Sequence, residues 1–344
     1  MLDLTTASYW ARKVIKFIIL LIIAVIIGRI LWLVGTKIYQ AFFPQAPPEA
    51  TIGFGKLPAI IFPLQESTQK FTYKLETPTG ELPKTPTILP VYVMPIPHSS
   101  LLALDQARVT IRKLGFDGTE ERITDTIYRF KKRDFPTTLE MNIITGAFSV
   151  TYDLNADPRL TQTRPQTPNE AITSARSILG IGGLLTEDLA ESPTTTEFIA
   201  YQGGKFVEVS SLSEANFIRV DMFRQDYEKL PIVTPDRKAN VWFLLLGDKI
   251  IAGEYHYFPI DKSTSSTYPI KKAQDAWEEL KNEGGLVASV GKDQKGIDVV
   301  IRRIYLAYYD SDELQSFFQP VYVFEGDNDF SAYVPAITKD FYEP

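Results

Sequence analysis

The chain has 344 residues, no cysteine, two histidines and a formal net charge of −6. Without thiols, disulfides, thiolate catalysis and Cys-ligated metals are excluded. Residues 1–40 hold five Lys/Arg and one Asp, so the remainder carries −10, a balance that argues against nucleic acid and against adhesion to anionic lipid.

The first element is apolar on every side. Phe17 to Val34 reads FIILLIIAVIIGRILWLV, with Arg29 as its one charge. As a helix this run spans about 27 Å, close to the hydrocarbon core of a bilayer. A membrane helix is therefore expected over residues 1–40, including a short cytoplasmic tail. Arg12, Lys13 and Lys16 precede the run and only Lys37 follows closely. That asymmetry predicts a cytoplasmic N-terminus and an extracytoplasmic remainder. A cleaved signal peptide is the rival reading, but the run exceeds a usual signal core and no clear A-x-A site follows it. Arg29 either snorkels to the distal interface or makes a polar contact with a partner helix.

Residues 41–66 read as a stalk, stiffened by Pro44, Pro47 and Pro48. Leu57 to Leu64 is too short for a second span and is expected to pack on the first folded module. Three α+β modules are then expected, at 67–160, 161–262 and 263–344.

In the first, Phe71, Tyr73 and Leu75 alternate with polar residues as a half-buried strand. Ile88 to Met94 reads as a second strand, with Pro90 confining it to an edge or a strand start. A helix capped at Ser99 or Ser100 places Leu104, Ala107, Ile111 and Leu114 on one face. A short strand at Thr126–Lys131 precedes a hairpin, Thr137 to Leu154, turning at Thr145-Gly146. In the second module, Thr167-Pro168 opens a helix with Ala171, Ala175, Ile178 and Leu179 inward, and Gly180, Gly182 and Gly183 end it. Strands are expected at Glu197–Gln202, Lys205–Val209, Ala215–Arg224, Asn240–Leu246 and Lys249–Ile260. In the third, Ala273, Ala276, Trp277 and Leu280 share a helical face, and strands follow at Ile297–Tyr309 and within Val321–Ile337. The predicted fold class is α+β: one transmembrane helix, then tandem small modules, each a helix packed on an antiparallel sheet.

The inventory of reactive side chains is thin. His98 sits in a loop and His256 between Tyr255 and Tyr257, with no metal-ligand spacing between them. Asp310-Ser311-Asp312-Glu313 reads as an N-cap ahead of a turn through Leu314 and Phe317, and Glu325 to Asp329 as a hairpin tip. Neither a G-x-S-x-G elbow nor a phosphate-binding glycine frame occurs. No catalytic residue, metal or cofactor is assigned. The aromatics are the richest group: Tyr255 and Tyr257 share a strand face, as do Tyr322 and Phe324, and Tyr305, Tyr308 and Tyr309 crowd one segment. They serve either as cross-strand packing or as a groove for a glycan or peptide.

The segments YPIKKAQDAWEEL, IRRIYLAYYDSDE and QPVYVFEG, over Tyr268–Ala336, together with FIRVDMFR and YHYFPI, resemble the YycH/YycI group of membrane-anchored regulators. TTLEMNIITGAFSV is similar to a PepSY hairpin. The resemblance implies an extracytoplasmic α+β protein that restrains a cell-wall sensor kinase through its membrane helix. The chain departs from the group in its additional N-terminal module and Pro-rich stalk, and no functional residue carries over. The expected function is a non-enzymatic regulator or scaffold in the bacterial envelope that binds another envelope protein. The alternative is a cell-wall glycan- or peptide-binding module. Arg29, Tyr255, Tyr257, Tyr308 and Tyr309 are the candidate contacts.

Overall fold

A computed structural model describes residues 4–42, 49–64, 70–291 and 297–343. The proline-rich stretch 43–48 lies outside the described residues. The chain divides into two compact units, residues 1–49 and 50–344.

The first unit is the helix α1, Leu4–Phe42. Within it, Lys16–Thr36 is long and apolar enough to cross a membrane, and none of its side chains is buried by protein. Arg29 belongs to that stretch. The fold class is as the patterning implies: one N-terminal apolar helix followed by mixed α+β structure.

The second unit begins with β1 (Thr72–Leu75), β2 (Ile88–Val93), α2 (Ala103–Lys113), β3 (Glu120–Arg122), β4 (Ile127–Lys131), β5 (Thr137–Asn142) and β6 (Phe148–Tyr152). It continues with α3 (Pro168–Gly182), α4 (Glu187–Ala190), β7 (Thr194–Gln202), β8 (Lys205–Val209), β9 (Phe217–Met222), β10 (Ile232–Val233), β11 (Val241–Leu246) and β12 (Lys249–Tyr255). The last part comprises β13 (Asp261–Pro269), α5 (Ala273–Lys281), β14 (Leu286–Ser289), β15 (Asp298–Tyr309), β16 (Phe317–Phe318), β17 (Pro320–Gly326) and β18 (Ser331–Pro335).

Helix starts and stops follow local chemistry. The Thr167 amide donates to Glu170 Oε2 at 2.8 Å, and the Glu170 amide donates back to Thr167 Oγ1 at 3.4 Å. This reciprocal box satisfies two of the amides that a helix start leaves without partners. Gly183 ends α3 at φ +72°, a left-handed conformation that suits glycine. On α5, Ala273, Ala276, Trp277 and Leu280 are all buried, as their spacing predicts. The small alanines let the helix lie close on β18, while the indole meets Phe324 at 6.0 Å and Tyr73 at 6.3 Å.

The sheets do not respect the expected boundaries at 160 and 262. A nine-stranded sheet runs β3-β4-β5-β6-β12-β11-β9-β7-β8, so strands from both sides of residue 160 form one layer. The joint is the antiparallel pair β6–β12, with Phe148 opposite Tyr255 and Val150 opposite Gly253. Left alone, β6 and β12 would each present a row of unpaired backbone groups, and pairing them closes both edges. Helices α2 and α3 share the core on one face of this sheet, with Ile111, Leu179, Val220 and Phe243 inside it. The six-stranded sheet β1-β15-β17-β18-β14, joined by β10, likewise recruits from a distance: β1 and β10 both pair with β15 in parallel. A third sheet, β13-β2-β16, places Pro90 opposite Thr267, while β16 reaches only Tyr92 and Val93. Pro90 therefore lies beside a locally open edge, where its missing N–H costs nothing.

Leu57 meets the expected first module only through Val91 of β2, and Ile60 packs elsewhere. Leu57 is buried with Val91, Tyr268 and Ile337, and Ile60 with Tyr309, Val321 and Tyr333. Apart from the contact with Val91, the chain thus docks first against the last strands.

Candidate functional site

Strand alternation gives the nine-stranded sheet two unlike faces. Ile218, Val220 and Met222 of β9 enter the helix-covered core, so Arg219 and Asp221 point the other way. Trp242 of β11 and Glu254 of β12 share that second face. Register continues it across the sheet, from Arg129 through Glu140, Ser149 and Glu254 to Trp242 and Asp221. One polar row thus crosses the strands at right angles.

At the end of this row lies an open cleft of about 430 Å³. Arg219, Trp242, Glu254 and His256 form its floor, and Leu286, Val287 and Val290 line the other side. Pro235, Asp236, Lys238 to Asn240, Pro63, Leu64, Phe71 and Asp312 complete the wall. The volume falls within the range of about 300–1,000 Å³ typical of ligand-binding clefts.

The floor is pre-organised. Arg219 donates from Nε and Nη2 to the two carboxylate oxygens of Asp221, both at 2.8 Å. Its guanidinium carbon lies 4.0 Å from the centre of the Trp242 ring, a stacked cation–π arrangement. The indole Nε1 donates to Glu254 Oε2 at 3.1 Å. Asp221 also accepts the Ala239 amide at 3.2 Å, which ties the 235–240 wall to the floor. The resulting surface offers the part of the half-buried indole that Arg219 leaves uncovered, one oriented guanidinium and one carboxylate. That set suits recognition by edge packing on the indole and by hydrogen bonding.

Behind the cleft, Asn240 and His256 lead to a buried ionic group. Arg224, 6% exposed, stacks over Tyr257 with its guanidinium carbon 4.1 Å from the ring centre. Its Nε lies 3.1 Å from Asp310 Oδ2, its Nη1 lies 3.8 Å from Asp188 Oδ2, and it donates to the Phe258 carbonyl. Tyr257 donates to Asp188 at 2.9 Å, and Asn240 donates to the Asp310 carbonyl at 2.9 Å. Burial pushes the Asp310 carboxyl above the usual aspartate range, against the pull of Arg224. Asp310 is therefore no helix cap: no helix follows it, and Ser311 Oγ accepts the Glu313 amide at 3.1 Å.

The four candidate-contact tyrosines follow the packing alternative rather than the groove. Tyr255 is buried, stacked on Phe148 at 5.2 Å, and donates to the Leu184 carbonyl at 3.1 Å. Tyr257 is half-buried beneath Arg224. Tyr308 is buried, stacked on Phe318 at 4.8 Å, and donates to the Pro90 carbonyl at 2.9 Å. Tyr309 is buried edge-on to Phe62 at 5.0 Å. Burial raises the hydroxyl pKa of all four. Tyr255 and Tyr257 belong to the nine-stranded sheet region and the other two to β15, so the four share no surface. His98 is exposed, and His256 half-buried at the cleft. Among the described residues, no group of three or more His, Asp or Glu is placed to hold a metal.

Sequence reasoning passed over Trp242 and Arg219. The run VWFLLL hides the indole among apolar neighbours, although Arg219 and Asp221 at alternate positions of FIRVDM mark a polar strand face.

No family model matches the sequence, and no curated protein does. Among solved structures, the chain is similar to an uncharacterized protein from Eubacterium rectale ATCC 33656. The identity is 10%, the match covers 76% of this chain and 86% of that one, and the TM-score is 0.37.

Proposed function

We propose that the chain is a single-pass membrane protein whose large unit works outside the cytoplasm as a non-enzymatic regulator or scaffold. On this reading it binds another envelope protein, a sensor kinase being the partner that the YycH/YycI resemblance implies, and the Trp242 cleft is the contact. The observation that carries the reading is the pre-organised Arg219–Trp242–Glu254 floor of an open cleft, in a chain that also carries an apolar helix. An oriented aromatic held by charged neighbours is the usual composition of an interface anchor. The excess of basic residues before Phe17 supports the cytoplasmic N-terminus.

The absence of cysteine makes the test clean. Lys238→Cys sets one thiol at the cleft wall, on an exposed side chain whose ion pair with Glu197 is only 3.8 Å. A membrane-impermeant maleimide should label it on intact cells, and labelling only after lysis would reverse the orientation. A benzophenone maleimide at the same thiol should crosslink one discrete protein, and Trp242→Ala should abolish that adduct. An adduct unaffected by Trp242→Ala and Arg219→Ala would remove the cleft from the interface. Crosslinking to wall glycan instead of protein would favour the glycan-binding alternative.

A further inference from the structure

A second cavity, of about 250 Å³, opens where α2 and α3 end, and it shares no lining residue with the Trp242 cleft. Helix α2 stops at Gly115, whose φ of +84° turns the chain back, and Phe116 drops into the core. A side chain at position 115 would meet Lys132 Cε at 3.2 Å, so glycine also makes room for that lysine. Phe116, Ile178 and Ile250 form an apolar floor, while Phe135 and Ile181 stand at the rim, 44% and 60% exposed.

Three lysines surround this apolar surface. Lys132 Nζ lies 5.4 Å from the centre of the Phe135 ring and 5.9 Å from that of Phe116, and Lys249 Nζ lies 5.9 Å from the Phe135 centre. Lys113 completes the rim. Among the described residues, none of the three lysines has a carboxylate within ion-pairing distance, although Asp248 also lines the pocket. Taken whole, the chain beyond residue 40 is acidic, at −10. The cations here are therefore a local reversal of charge around an uncovered apolar patch.

We propose that this pocket docks an acidic segment of a partner protein that inserts one large apolar side chain. Size favours a side chain over a whole small ligand. An apolar cavity of roughly 150 Å³ holds a benzene ring, whereas drug-sized ligands occupy about 300–1,000 Å³. Charge selects an acidic flank, because carboxylates on either side of the inserted residue would meet ammonium groups that are poised over the aromatic rims. The proposal shares with the partner-binding reading only that the occupant is a protein. The two tests probe separate residues, so either can fail alone.

The test uses the full chain in detergent micelles and a dye-labelled synthetic peptide with one phenylalanine flanked by aspartates and glutamates. Binding should appear as a rise in anisotropy and weaken at high salt, where screening shortens to a few ångströms, about 3 Å at 1 M. A peptide with alanine for phenylalanine, or with lysines for the acids, should bind at least about tenfold more weakly. Lys132→Glu with Lys249→Glu should cost a similar factor, whereas Lys132→Arg with Lys249→Arg should retain binding. Lys249→Gln provides a milder variant, and thermal melting of each variant separates lost binding from lost folding. No binding of the acidic peptide, equal binding of the basic one, or indifference to charge reversal in a folded variant would overturn the proposal. Displacement of the peptide by oleate at lower concentration than by unlabelled peptide would also overturn it, assigning the pocket to lipid.

Discussion

At the scale of single residues, Trp277 and Asp310 show what local pattern reveals and what it conceals. Trp277 lies on the buried face of α5, between Tyr73 and Phe324. Truncation to alanine should cost about 3–5 kcal/mol, because the helix backbone cannot follow the lost ring inward. Urea denaturation measures this, and an unchanged midpoint would move the indole out of the core. Its environment was legible, since the i, i+3, i+4, i+7 spacing of Ala273, Ala276, Trp277 and Leu280 needs no partner to be seen. Asp310 was not legible: its counterion, Arg224, comes from a distant strand end, and nothing local distinguishes a buried aspartate from a capping one. Because burial raises its pKa above the ordinary 3.8, the native state holds the Asp310 proton more tightly than the unfolded chain does. The stabilisation from that proton is complete below the unfolded pKa and is lost as pH rises through the folded one. The stability advantage of the wild-type chain over Asp310→Asn should accordingly be largest at acid pH and shrink as pH rises. An advantage that grows with pH would mean that attraction to Arg224 outweighs burial.

At the scale of elements, helices were readable but not every end, and strand partners were not. Helix α2 starts after Leu102, not at the expected Ser99 or Ser100 cap, and Ser100 Oγ only accepts the Leu102 amide at 3.2 Å. The Thr167–Glu170 box, the hairpin at Thr145-Gly146 and the tip at Asn328 (φ +56°) are short-range chemistry. Thr167→Ala should lower stability by about 1 kcal/mol, the usual worth of a lost N-cap, as measured by thermal or urea unfolding. Strand β13 escaped notice because DKSTSSTYP carries no apolar alternation; it forms because β2 needs a partner. The parallel pairs β1–β15 and β10–β15 are likewise settled by a free edge far along the chain. Gly253 marks the joint between β6 and β12. A Cβ there would lie 2.5 Å from Phe243 Cδ1 and 2.9 Å from the Trp242 carbonyl. Gly253→Val should therefore destabilise the unit by about 1–3 kcal/mol through overpacking. The same change should disturb the Trp242 cleft. A fully stable variant with wild-type crosslinking from position 238 would show that the joint is slack.

At the scale of the whole molecule, three helix-and-strand repeats were visible in the sequence, but their independence was not. Each repeat closes its sheet with strands from another: β12 completes β6, and β1 and β10 line one edge of β15, opposite β17. Residues 50–344 are accordingly one compact unit. A chain beginning near Ser263 keeps α5 and the β15–β17 pair but loses β1, β2 and β10, leaving one whole edge of β15 open and β13 without its partner β2, so it should not unfold cooperatively. Trp242 and Trp277 report from different sheets, which allows the unity of the large unit to be tested directly. With Trp10 and Trp32 replaced by phenylalanine, single-tryptophan versions of the full chain should show the same urea midpoint from either indole once each variant's own stability change is subtracted. Coincident transitions are the expected result; two separated transitions would contradict the account, because the shared sheets would then not bind the repeats into one folding body.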